Sequence, residues 1–434
     1  MEGWEPWRVA LLSMTNATNH MKVGILQKCA DSFFEDVMKS APNGLQDIHV
    51  VDIFTALNGA PGVTYIDKIN RKTSAGFPWR TTKKKILKKI APIDDVQDPV
   101  VLTDEVLDRV EHICKKYKQG IMVHPIFIAH LKDEPVSKRK LDAKKTRVFA
   151  GGPVDWSIVV RMLYLPLIKL IQENPFIFEC AVGVTAQSAE WERIARYLLR
   201  KDLNTGEGDD SLKTRMVAGD YVTFDKTMCA YVILLACEFL WRLAEKSGNY
   251  SNEEIIMMKT AAHDIAYAYM DFHGDLVQFF GGNPSGNPLT VIINSIVNSI
   301  YMRYAYCELH PDKKVDDFKQ NIRLITYGDD NVLSSRVDWY NHTTIANCFA
   351  DVGIEYTMAE KEAASIPFIT FDEITFLKRS WRFDPYLGIY KAPLEEKSIH
   401  KMLTIWVKSK TVSWQEQIVS SITSALGEAY FHGP

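Results

Sequence analysis

The chain has 434 residues, of which 47% are hydrophobic and 24% are charged, and its formal net charge at pH 7 is −3. This length predicts two or three lobes around a shared centre, and the composition is typical of a folded chain and excludes general disorder. Seven cysteines without CxxC pairs indicate neither a zinc module nor a disulfide framework. The apolar stretches are too interrupted by charge to span a bilayer, and no signal-peptide pattern is present, so a soluble protein made in the cytosol is expected.

Two basic runs mark the first part of the chain, where short helical and extended segments alternate with turn signals. Residues 80–90 contain six cations and no acid, and residues 132–147 contain seven cations and three acids. The first run is equally compatible with a solvated helix face, because three residues within it supply an apolar side. The second run lacks helical periodicity and includes Pro135, so it predicts an exposed basic loop or ribbon.

A carboxylate lies at the end of the next predicted strand. A helix is predicted at about 187–200, and the turn-rich segment 204–211 separates it from the strand-like "MVAGDY", which ends near Asp220. Asp225 follows five residues later and cannot point the same way along a continuous strand, so a turn is predicted between them. The alternative interpretation of Asp225 is a helix N-cap, since a helical segment is predicted at 228–246.

A row of polar side chains follows in the apolar helix predicted at 287–304. Thr290, Asn294 and Asn298 recur at intervals of four, so they lie on one helix face. This row is either the solvent-facing side of an ordinary amphipathic helix or a set of donors and acceptors for a ligand with hydroxyls, such as a ribose. The helix alone does not distinguish the two interpretations.

Two adjacent acids, Asp329 and Asp330, lie at the tip of a predicted hairpin. The stretch "IRLITYGDDNVLSS" is typical of strand, tight turn and strand, and a helix near 343–352 follows. The order of the elements predicts an α+β fold with an antiparallel sheet backed by helices. The acids are compatible with a plain turn. With Asp220 they are also the hard oxygen ligands that two Mg²⁺ ions need to activate a 3′-hydroxyl and neutralise a pyrophosphate.

Seven segments in this order resemble the motifs of picornavirus-type RNA-dependent RNA polymerases, in particular those of insect picorna-like viruses such as iflaviruses and dicistroviruses. They correspond to the family motifs G, F, A, B, C, D and E: TSAGFP (73–78), KDEPVSKRKLDAKKTR (132–147), DYVTFD (220–225), SGNPLTVIIN (285–294), YGDD (327–330), YTMAEK (356–361) and FLKR (376–379). The resemblance implies a right-hand polymerase architecture. Its implied parts are fingers at 1–178, palm at 179–247 and 283–379, a fingers insertion at 248–282 and a small thumb at 380–434.

The resemblance also implies a role for individual motif residues. Asp220 and Asp329 would be the principal metal ligands, with Asp330 beside them, for Mg²⁺ or for Mn²⁺ as its substitute. Lys361 would protonate the pyrophosphate as a general acid, and a solvated surface lysine is the alternative. The residues implied to bind the nucleotide or its ribose are Asp225, Ser285, Gly286, Thr290, Asn294, Arg147, Lys140 and Lys145. Those implied to contact RNA are Lys132, Lys378, Arg379, Thr73, Ser74 and Gly76.

The implied activity is template-directed RNA synthesis from NTPs, at an RNA 3′ end or on a small viral protein primer, during replication of a positive-strand viral genome. Implied partners are template, primer, NTPs and other viral replication proteins, which would recruit the chain to membrane-associated complexes in the host cytoplasm. A catalytically idle RNA-binding scaffold of the same fold is the alternative. DNA synthesis is disfavoured, because a site that hydrogen-bonds a 2′-hydroxyl, as implied for Asp225 and Asn294, selects ribonucleotides. The sequence indicates no oligomeric state.

Overall fold

The chain forms two compact units, each with its own four-stranded sheet. The computed structural model describes residues 4–15, 20–134, 136, 138–144, 146–202, 207–360, 363–409 and 411–433. Unit one comprises Met1–Gly183, Thr223–Tyr304 and Val352–Ile354. Unit two comprises Val184–Val222, Ala305–Asp351 and Glu355–Pro434. These boundaries differ from the limits predicted for fingers, palm and thumb, which stay a prediction.

The described residues form an α+β fold, as predicted. The helices are α1 (Pro6–Thr15), α2 (Val23–Lys39), α3 (Ile53–Asn58), α4 (Asp104–Lys118), α5 (Lys138–Asp142), α6 (Val154–Glu173), α7 (Glu190–Leu198), α8 (Phe224–Thr227), α9 (Ala230–Ser247), α10 (Asn252–Ala266), α11 (Thr290–Leu309), α12 (Phe318–Asn321), α13 (His342–Ala350), α14 (Glu396–Thr404) and α15 (Trp414–Ala429). The strands are β1 (Leu87–Lys89), β2 (Val100–Leu102), β3 (Ile126–Leu131), β4 (Val148–Gly151), β5 (Met216–Tyr221), β6 (Tyr269–Phe272), β7 (Asp275–Gln278), β8 (Ile322–Tyr327), β9 (Asp330–Ser335), β10 (Tyr356–Met358), β11 (Arg382–Asp384) and β12 (Ile389–Lys391). Within these residues, no helix combines the length and apolar character needed to cross a bilayer.

Unit one contains a mixed four-stranded sheet with the order β4–β3–β6–β7. Strands β3 and β6 run parallel, and the other two pairs are antiparallel. Helices α4, α6, α9 and α10 pack against one another. Of the 20 residues of α6, 13 are buried, so this helix lies at the centre of the unit's core.

Pro166 lies inside α6, where it has no N–H to donate to the carbonyl of Met162. The backbone N–H of Val51 donates to this carbonyl instead, at 3.0 Å. The carbonyl that Pro166 leaves without its helical donor is thereby satisfied, so α6 continues past a residue that normally disrupts a helix interior.

Unit two is built on an antiparallel four-stranded sheet with the order β10–β5–β9–β8. All six residues of β5 are buried, as expected for a central strand with both faces covered. Strands β8 and β9 form the predicted hairpin, which turns at Gly328 and Asp329. Gly328 has φ 62°, a conformation that glycine adopts without steric cost. The predicted antiparallel sheet with an acid-tipped hairpin is therefore confirmed.

The four helices predicted from periodicity are present with shifted ends. The helix expected at 187–200 is α7, that at 228–246 is α9, that at 287–304 is α11 and that near 343–352 is α13. The interpretation of residues 80–90 as a helix face is wrong. They form a 3₁₀ turn at Lys83–Lys85 and then β1, which pairs with β2 and so obtains its hydrogen bonds from a strand partner.

Candidate active site

Three carboxylates lie at one end of the unit-two sheet. Asp220 is near the end of β5 and is 8% exposed, whereas Asp330 begins β9. The pairing of these antiparallel strands ends with Gly219 opposite Asn331, so the next facing positions are Asp220 and Asp330. Asp329 occupies the exposed turn immediately before β9. The structure thus brings the three predicted metal-binding acids to neighbouring strand ends.

A buried tyrosine links three strands beside these acids. The side chain of Tyr356 on β10 lies across Gly219 on β5, where an added Cβ would be 2.0 Å from the tyrosine Cζ. Its hydroxyl donates to Oδ1 of Asn331 on β9 at 2.7 Å. Burial raises the pKa of the Tyr356 hydroxyl, so the group keeps its proton and remains a donor. Tyr356 therefore packs against β5 and hydrogen-bonds to β9 at the residues next to Asp220 and Asp330.

The donor chemistry of these acids suits a divalent cation such as Mg²⁺, which prefers carboxylate oxygens. In the described part of the chain, no three Asp, Glu, His or Cys side chains converge closely enough to form a complete metal site by themselves. Mg²⁺ in phosphoryl-transfer enzymes is usually held by one or two carboxylates together with waters and substrate phosphates. Asp220, Asp329 and Asp330 fit an open site of that kind rather than a closed structural one.

Unit one carries the second group of predicted site residues, beginning with Asp225. Thr223 has φ 56°, in the left-handed region, and α8 begins at Phe224. This bend confirms the turn predicted between Asp220 and Asp225. The interpretation of Asp225 as an N-cap is wrong, because Thr223 occupies the N-cap position and Asp225 is the second residue of the helix.

Buried amides hold the side chain of Asp225. Asn294 donates through Nδ2 to Oδ1 of Asp225. Asn283 donates through Nδ2 to Oδ1 of Asn294 at 2.8 Å and to the carbonyl of Thr290 at 3.2 Å. The backbone N–H of Asn283 donates to the carbonyl of Asp225 at 2.8 Å. The structure thus brings together the two residues implied to read the ribose and adds a third.

The polar row of α11 does not face water. Asn294 and Asn298 are 5% and 0% exposed, so the interpretation of an ordinary amphipathic helix is wrong. Thr290 donates through Oγ1 to the carbonyls of Asn287 and Pro284, at 2.7 and 3.0 Å. The row therefore contains one member of the Asp225–Asn294 pair, one residue that anchors the start of the helix and one amide of the core.

Charges within unit one act on Asp225. Burial raises the pKa of the Asp225 carboxyl, while the Asn294 hydrogen bond and the charges of Arg147 and Lys226 act in the opposite direction. Burial lowers the pKa of Lys226, and the charge of Arg147 lowers it further. The Arg147 guanidinium is therefore close enough to Asp225 to act through its charge, a proximity that sequence spacing does not predict.

Glycines bring three predicted loops of unit one into backbone contact. A Cβ on Gly286 would lie 2.3 Å from the carbonyl oxygen of Ala150, and one on Gly76 would lie 2.5 Å from that of Gly152. Ser285 accepts at Oγ from the N–H of Ala150 at 2.8 Å. Because a residue with a Cβ does not fit at these approaches, Gly76 and Gly286 have a structural role besides their implied ligand contacts.

Most of the described residues of the second basic run are exposed, as predicted, but the run contains the short helix α5, on which Lys140 is exposed. The N–H of Lys132 donates to the carbonyl of Arg147 at 2.9 Å. Both cations contact Glu134, at 3.1 Å each. Burial alone would raise the pKa of Glu134, but the bonds and charges of Lys132 and Arg147 bring that pKa below its ordinary value. Glu134 therefore stays ionised and offsets one charge of the run.

The TSAGFP loop of unit one is held by local hydrogen bonds. Thr73 donates through Oγ1 to the carbonyl of Asn70 at 3.0 Å and accepts at the same oxygen from Lys83 at 2.6 Å. Ser74 accepts at Oγ from the N–H of Gly76 at 3.1 Å. These bonds define the shape of the loop, and its implied contact with the template stays a prediction.

Arg379 has a structural role within unit two. Its guanidinium forms a two-point ion pair with Glu428 at 2.7 and 2.8 Å and donates to the carbonyl of Ala392 at 2.8 Å. The Arg379 side chain is 11% exposed, whereas Lys378 is exposed and lies 3.2 Å from a carboxylate oxygen of Glu395. RNA contacts by both residues stay a prediction. Two further predicted residues, Lys145 and Lys361, lie outside the described residues.

Sequence reasoning missed Asn283, Glu134 and Tyr356. Asn283 stands just before the recognised SGNP segment, and a single buried amide produces no periodic signal. Glu134 is an acid inside a basic run, which was an available sign of an internal counter-charge. The role of Tyr356 depends on the missing side chain of Gly219 on another strand, and such cross-strand contacts depend on register.

Comparison with known proteins identifies the family to which the chain is similar. The profile of the viral RNA-dependent RNA polymerase family matches residues 10–434. The chain is 29% identical over 395 residues to the replicase polyproteins of Drosophila C virus (strain EB) and of Cricket paralysis virus. Each match covers 87% of this chain and 22% of the relative. The chain thus spans about a fifth of the length of these curated relatives.

A solved structure of a Sicinivirus 3Dpol RNA dependent RNA polymerase has a TM-score of 0.77 to this chain at 20% identity. The likeness covers 98% of this chain and 85% of that one, and it confirms the predicted right-hand polymerase fold. The family profile, the replicase polyproteins and the solved 3Dpol structure together confirm the resemblance to picornavirus-type polymerases as well. The chain belongs to the viral RNA-dependent RNA polymerase family, whose members are nucleotidyltransferases.

Proposed function

We propose that the chain synthesises RNA on an RNA template by transferring nucleoside monophosphates from NTPs to a 3′-hydroxyl. The observation that carries this proposal is the placement of Asp220 and Asp330 at facing positions of adjacent strands, with Asp329 in the turn. Carboxylates at neighbouring strand ends offer several oxygens in one place, as divalent cations require. Membership of the polymerase family supports the same activity.

Asp220 and Asp329 would hold Mg²⁺, with Asp330 beside them, and Mn²⁺ is a natural substitute because it also prefers oxygen ligands. Bound there, the ions would make the 3′-hydroxyl a better nucleophile and neutralise charge on the leaving pyrophosphate. The polypeptide contributes by keeping the carboxylates in position. Tyr356 of β10 serves this purpose, since its ring lies across Gly219 beside Asp220 on β5 and its hydroxyl donates to Asn331 beside Asp330 on β9.

The Asp225–Asn294 pair supports a preference for ribonucleotides. Asp225 has a second carboxylate oxygen, and Asn294 has a second N–H. A 2′-hydroxyl both donates and accepts, so it can satisfy such groups, whereas a deoxyribose leaves them unpaired. Sites that hydrogen-bond a hydroxyl reject the analogue lacking it much more strongly than sites that rely on shape.

The second basic run, residues 132–147, supports binding of polyanions. Lys132, Lys140, Lys145 and Arg147 would contact the triphosphate or the RNA strands, because fixed cations stabilise phosphate charge. Lys361 would act as the general acid toward pyrophosphate. The remaining implied RNA contacts are Thr73, Ser74, Gly76, Lys378 and Arg379.

The relatives support a wider proposal about context. They are replicase polyproteins of which this chain spans about a fifth, so we expect partners among other viral replication proteins, including a small protein primer. Replication complexes at membranes of the host cytoplasm are the expected location, reached through such partners. Replication of a positive-strand RNA genome is the expected process.

Primer extension tests the proposed activity. Wild-type protein is incubated with a labelled primer on an RNA template, Mg²⁺ and either rNTPs or dNTPs. The proposal predicts extension with rNTPs and much weaker extension with dNTPs. Absence of extension, with RNA binding intact and weakened by salt, would favour a catalytically idle scaffold.

A further inference from the structure

We propose that Asn283 is a positioning residue for ribonucleotide selection and that its side-chain amide fixes the orientation of Asn294. This inference rests on the proposed ribose-reading role of Asp225 and Asn294. Asn283 precedes the SGNPLTVIIN motif, and the resemblance implies no role for it. All four residues of the network, with Thr290 as the fourth, belong to unit one.

The Asn294 amide has two chemically different ends, and only one of them suits Asp225. An ionised carboxylate accepts hydrogen bonds and donates none, so the Nδ2 end of Asn294 must face it. A half-turn of the amide would set Oδ1 against the carboxylate, acceptor against acceptor. Such a turn would also redirect the second N–H of Asn294, which is the group proposed to meet the ribose.

Asn283 removes this ambiguity through the polarity of its own amide. Its Nδ2 donates to two carbonyl oxygens, Oδ1 of Asn294 at 2.8 Å and the backbone oxygen of Thr290 at 3.2 Å. Because both neighbours are acceptors, the Nδ2 end of Asn283 is fixed toward them. Oδ1 of Asn294 is then held toward Asn283, which leaves Nδ2 for Asp225.

The backbone closes this network into a ring. The N–H of Asn283 donates to the carbonyl of Asp225 at 2.8 Å, and the N–H of Gly282 donates to the carbonyl of Met228 at 2.8 Å. The segment that carries Asn283 is therefore attached to the same turn that carries Asp225. Its side chain keeps a fixed distance from Asn294, as a positioning role requires.

Packing alone does not account for an asparagine at this position. Asn283 is 4% exposed, and its Oδ1 has no hydrogen-bond partner among the described residues. Burying an unpaired carbonyl oxygen costs free energy, so an apolar side chain of similar size would fill the space at lower cost. The compensating feature is the pair of donated bonds, one of which goes directly to Asn294.

Loss of a residue that positions Asn294 should affect ribonucleotides and deoxyribonucleotides differently. A ribonucleotide uses the contact with Asn294, whereas a deoxyribonucleotide has no 2′-hydroxyl to use it. Loss of the Asn283 amide should therefore lower kcat/KM for ATP and leave kcat/KM for dATP nearly unchanged. A purely structural defect would lower both values by the same factor, because it reduces the fraction of active protein.

The test is the ratio of kcat/KM for ATP and dATP in single-nucleotide extension of an RNA primer–template. Asn283→Leu removes the amide at similar size, and Asn283→Asp replaces the donor by an acceptor with almost no change of shape. We expect the ratio to fall roughly 3- to 10-fold in Asn283→Leu, the effect of one lost hydrogen bond, and further in Asn283→Asp. The ratio is independent of the folded fraction, so partial misfolding does not obscure it.

Asn287→Leu is the matched control. Asn287 is also 4% exposed and lies in the same segment, but its Oδ1 accepts from the N–H of Leu289 at 3.0 Å. We expect this variant to lose activity with both nucleotides and to keep the wild-type ratio. A selective wild type with unchanged ratios in both Asn283 variants would overturn the positioning role alone. A wild type that uses ATP and dATP equally, or extends no primer, would overturn the proposed function and the positioning role with it.

Discussion

In unit two the acids lie on regular antiparallel strands, where backbone pairing alone decides which residues face each other. In unit one Asp225 lies just after the left-handed residue Thr223, and its side chain accepts a hydrogen bond from Asn294, 69 residues later, whose amide in turn accepts one from Asn283, 11 residues before it. The first arrangement depends on strand register and the second on individual amides. Substitutions should therefore affect the rate of synthesis in unit two and the choice of sugar in unit one.

The largest expected contrast comes from removing divalent cations. A chelator should reduce extension on the order of 1000-fold or more, because metal ions contribute several kcal/mol to stabilising the transition state. Added Mg²⁺ or Mn²⁺ should restore it. Extension is measured on labelled primer, and RNA binding in chelator is the control, expected to persist. Undiminished synthesis without divalent cations would contradict the proposed role of the acids.

The next effect concerns sugar choice in unit one. Asp225→Ala should reduce the preference for ATP over dATP by roughly 10- to 100-fold, because hydrogen bonds to a charged group contribute about 1.5–3 kcal/mol. The measurement is kcat/KM for each nucleotide. The rate with dATP should change much less than the rate with ATP. An equal loss with both nucleotides would mean that Asp225 only stabilises the fold. It would contradict the expectation that unit one determines the choice of sugar.

The strand packing of unit two can be disturbed by a substitution that leaves all three acids unchanged. Gly219→Ala should lower the free energy of unfolding by about 1–3 kcal/mol, because the new Cβ would lie 2.0 Å from the Tyr356 ring. Urea denaturation measures the change. Gly24→Ala is the control, since no atom lies within 4 Å of its added Cβ, and it should be neutral or slightly stabilising. Equal stability of the two variants would mean that Tyr356 does not lie across Gly219.

The smallest expected effect depends on pH and concerns Arg379. The Arg379 hydrogen bonds hold the pKa of Glu428 below its ordinary value of 4.5. The unfolded chain then binds the proton more tightly, so this stabilisation is present above pH 4.5 and is lost as the pH falls through the folded-state pKa. Glu428→Gln should lower the free energy of unfolding by about 1 kcal/mol at pH 7.

Urea denaturation at several pH values between neutral and acid measures this difference, which should shrink below pH 4.5. Glu396→Gln, at an exposed glutamate of α14, is the control and should differ little from wild type throughout. A difference between wild type and Glu428→Gln that does not change with pH would show that the ion pair is not its source.

The sequence was sufficient for features that local patterns encode. Alternating apolar residues around a turn of Gly328 and Asp329 predict the hairpin, and the spacing of Asp220 and Asp225 predicts the bend between them. Periodicity also predicts α11, but it cannot distinguish a polar row facing water from one buried in the core. The burial of Asn294 and Asn298 depends on other segments packed around the helix, which a single sequence does not place.

Features that depend on contacts between distant segments could not be predicted. Tyr356 acts through a position on β5 that lacks a side chain, and Asn283 acts through an amide on a helix. Arg379 stands in a recognised motif, so the resemblance implied RNA contact, whereas the structure pairs its guanidinium with Glu428 almost 50 residues later. In each case the residue type was visible in the sequence and its partner was not.

The acids at the hairpin tip of unit two are proposed to hold the metal ions that templated RNA synthesis requires. The most direct measurement is extension of a labelled primer on an RNA template with rNTPs and Mg²⁺, comparing wild type with Asp329→Ala. Because Asp329 is exposed in the turn, the variant should keep its fold and bind RNA. We predict extension by the wild type and a loss on the order of 1000-fold in the variant. Equal extension by both proteins, or none by the wild type while RNA binding is intact, would contradict the claim.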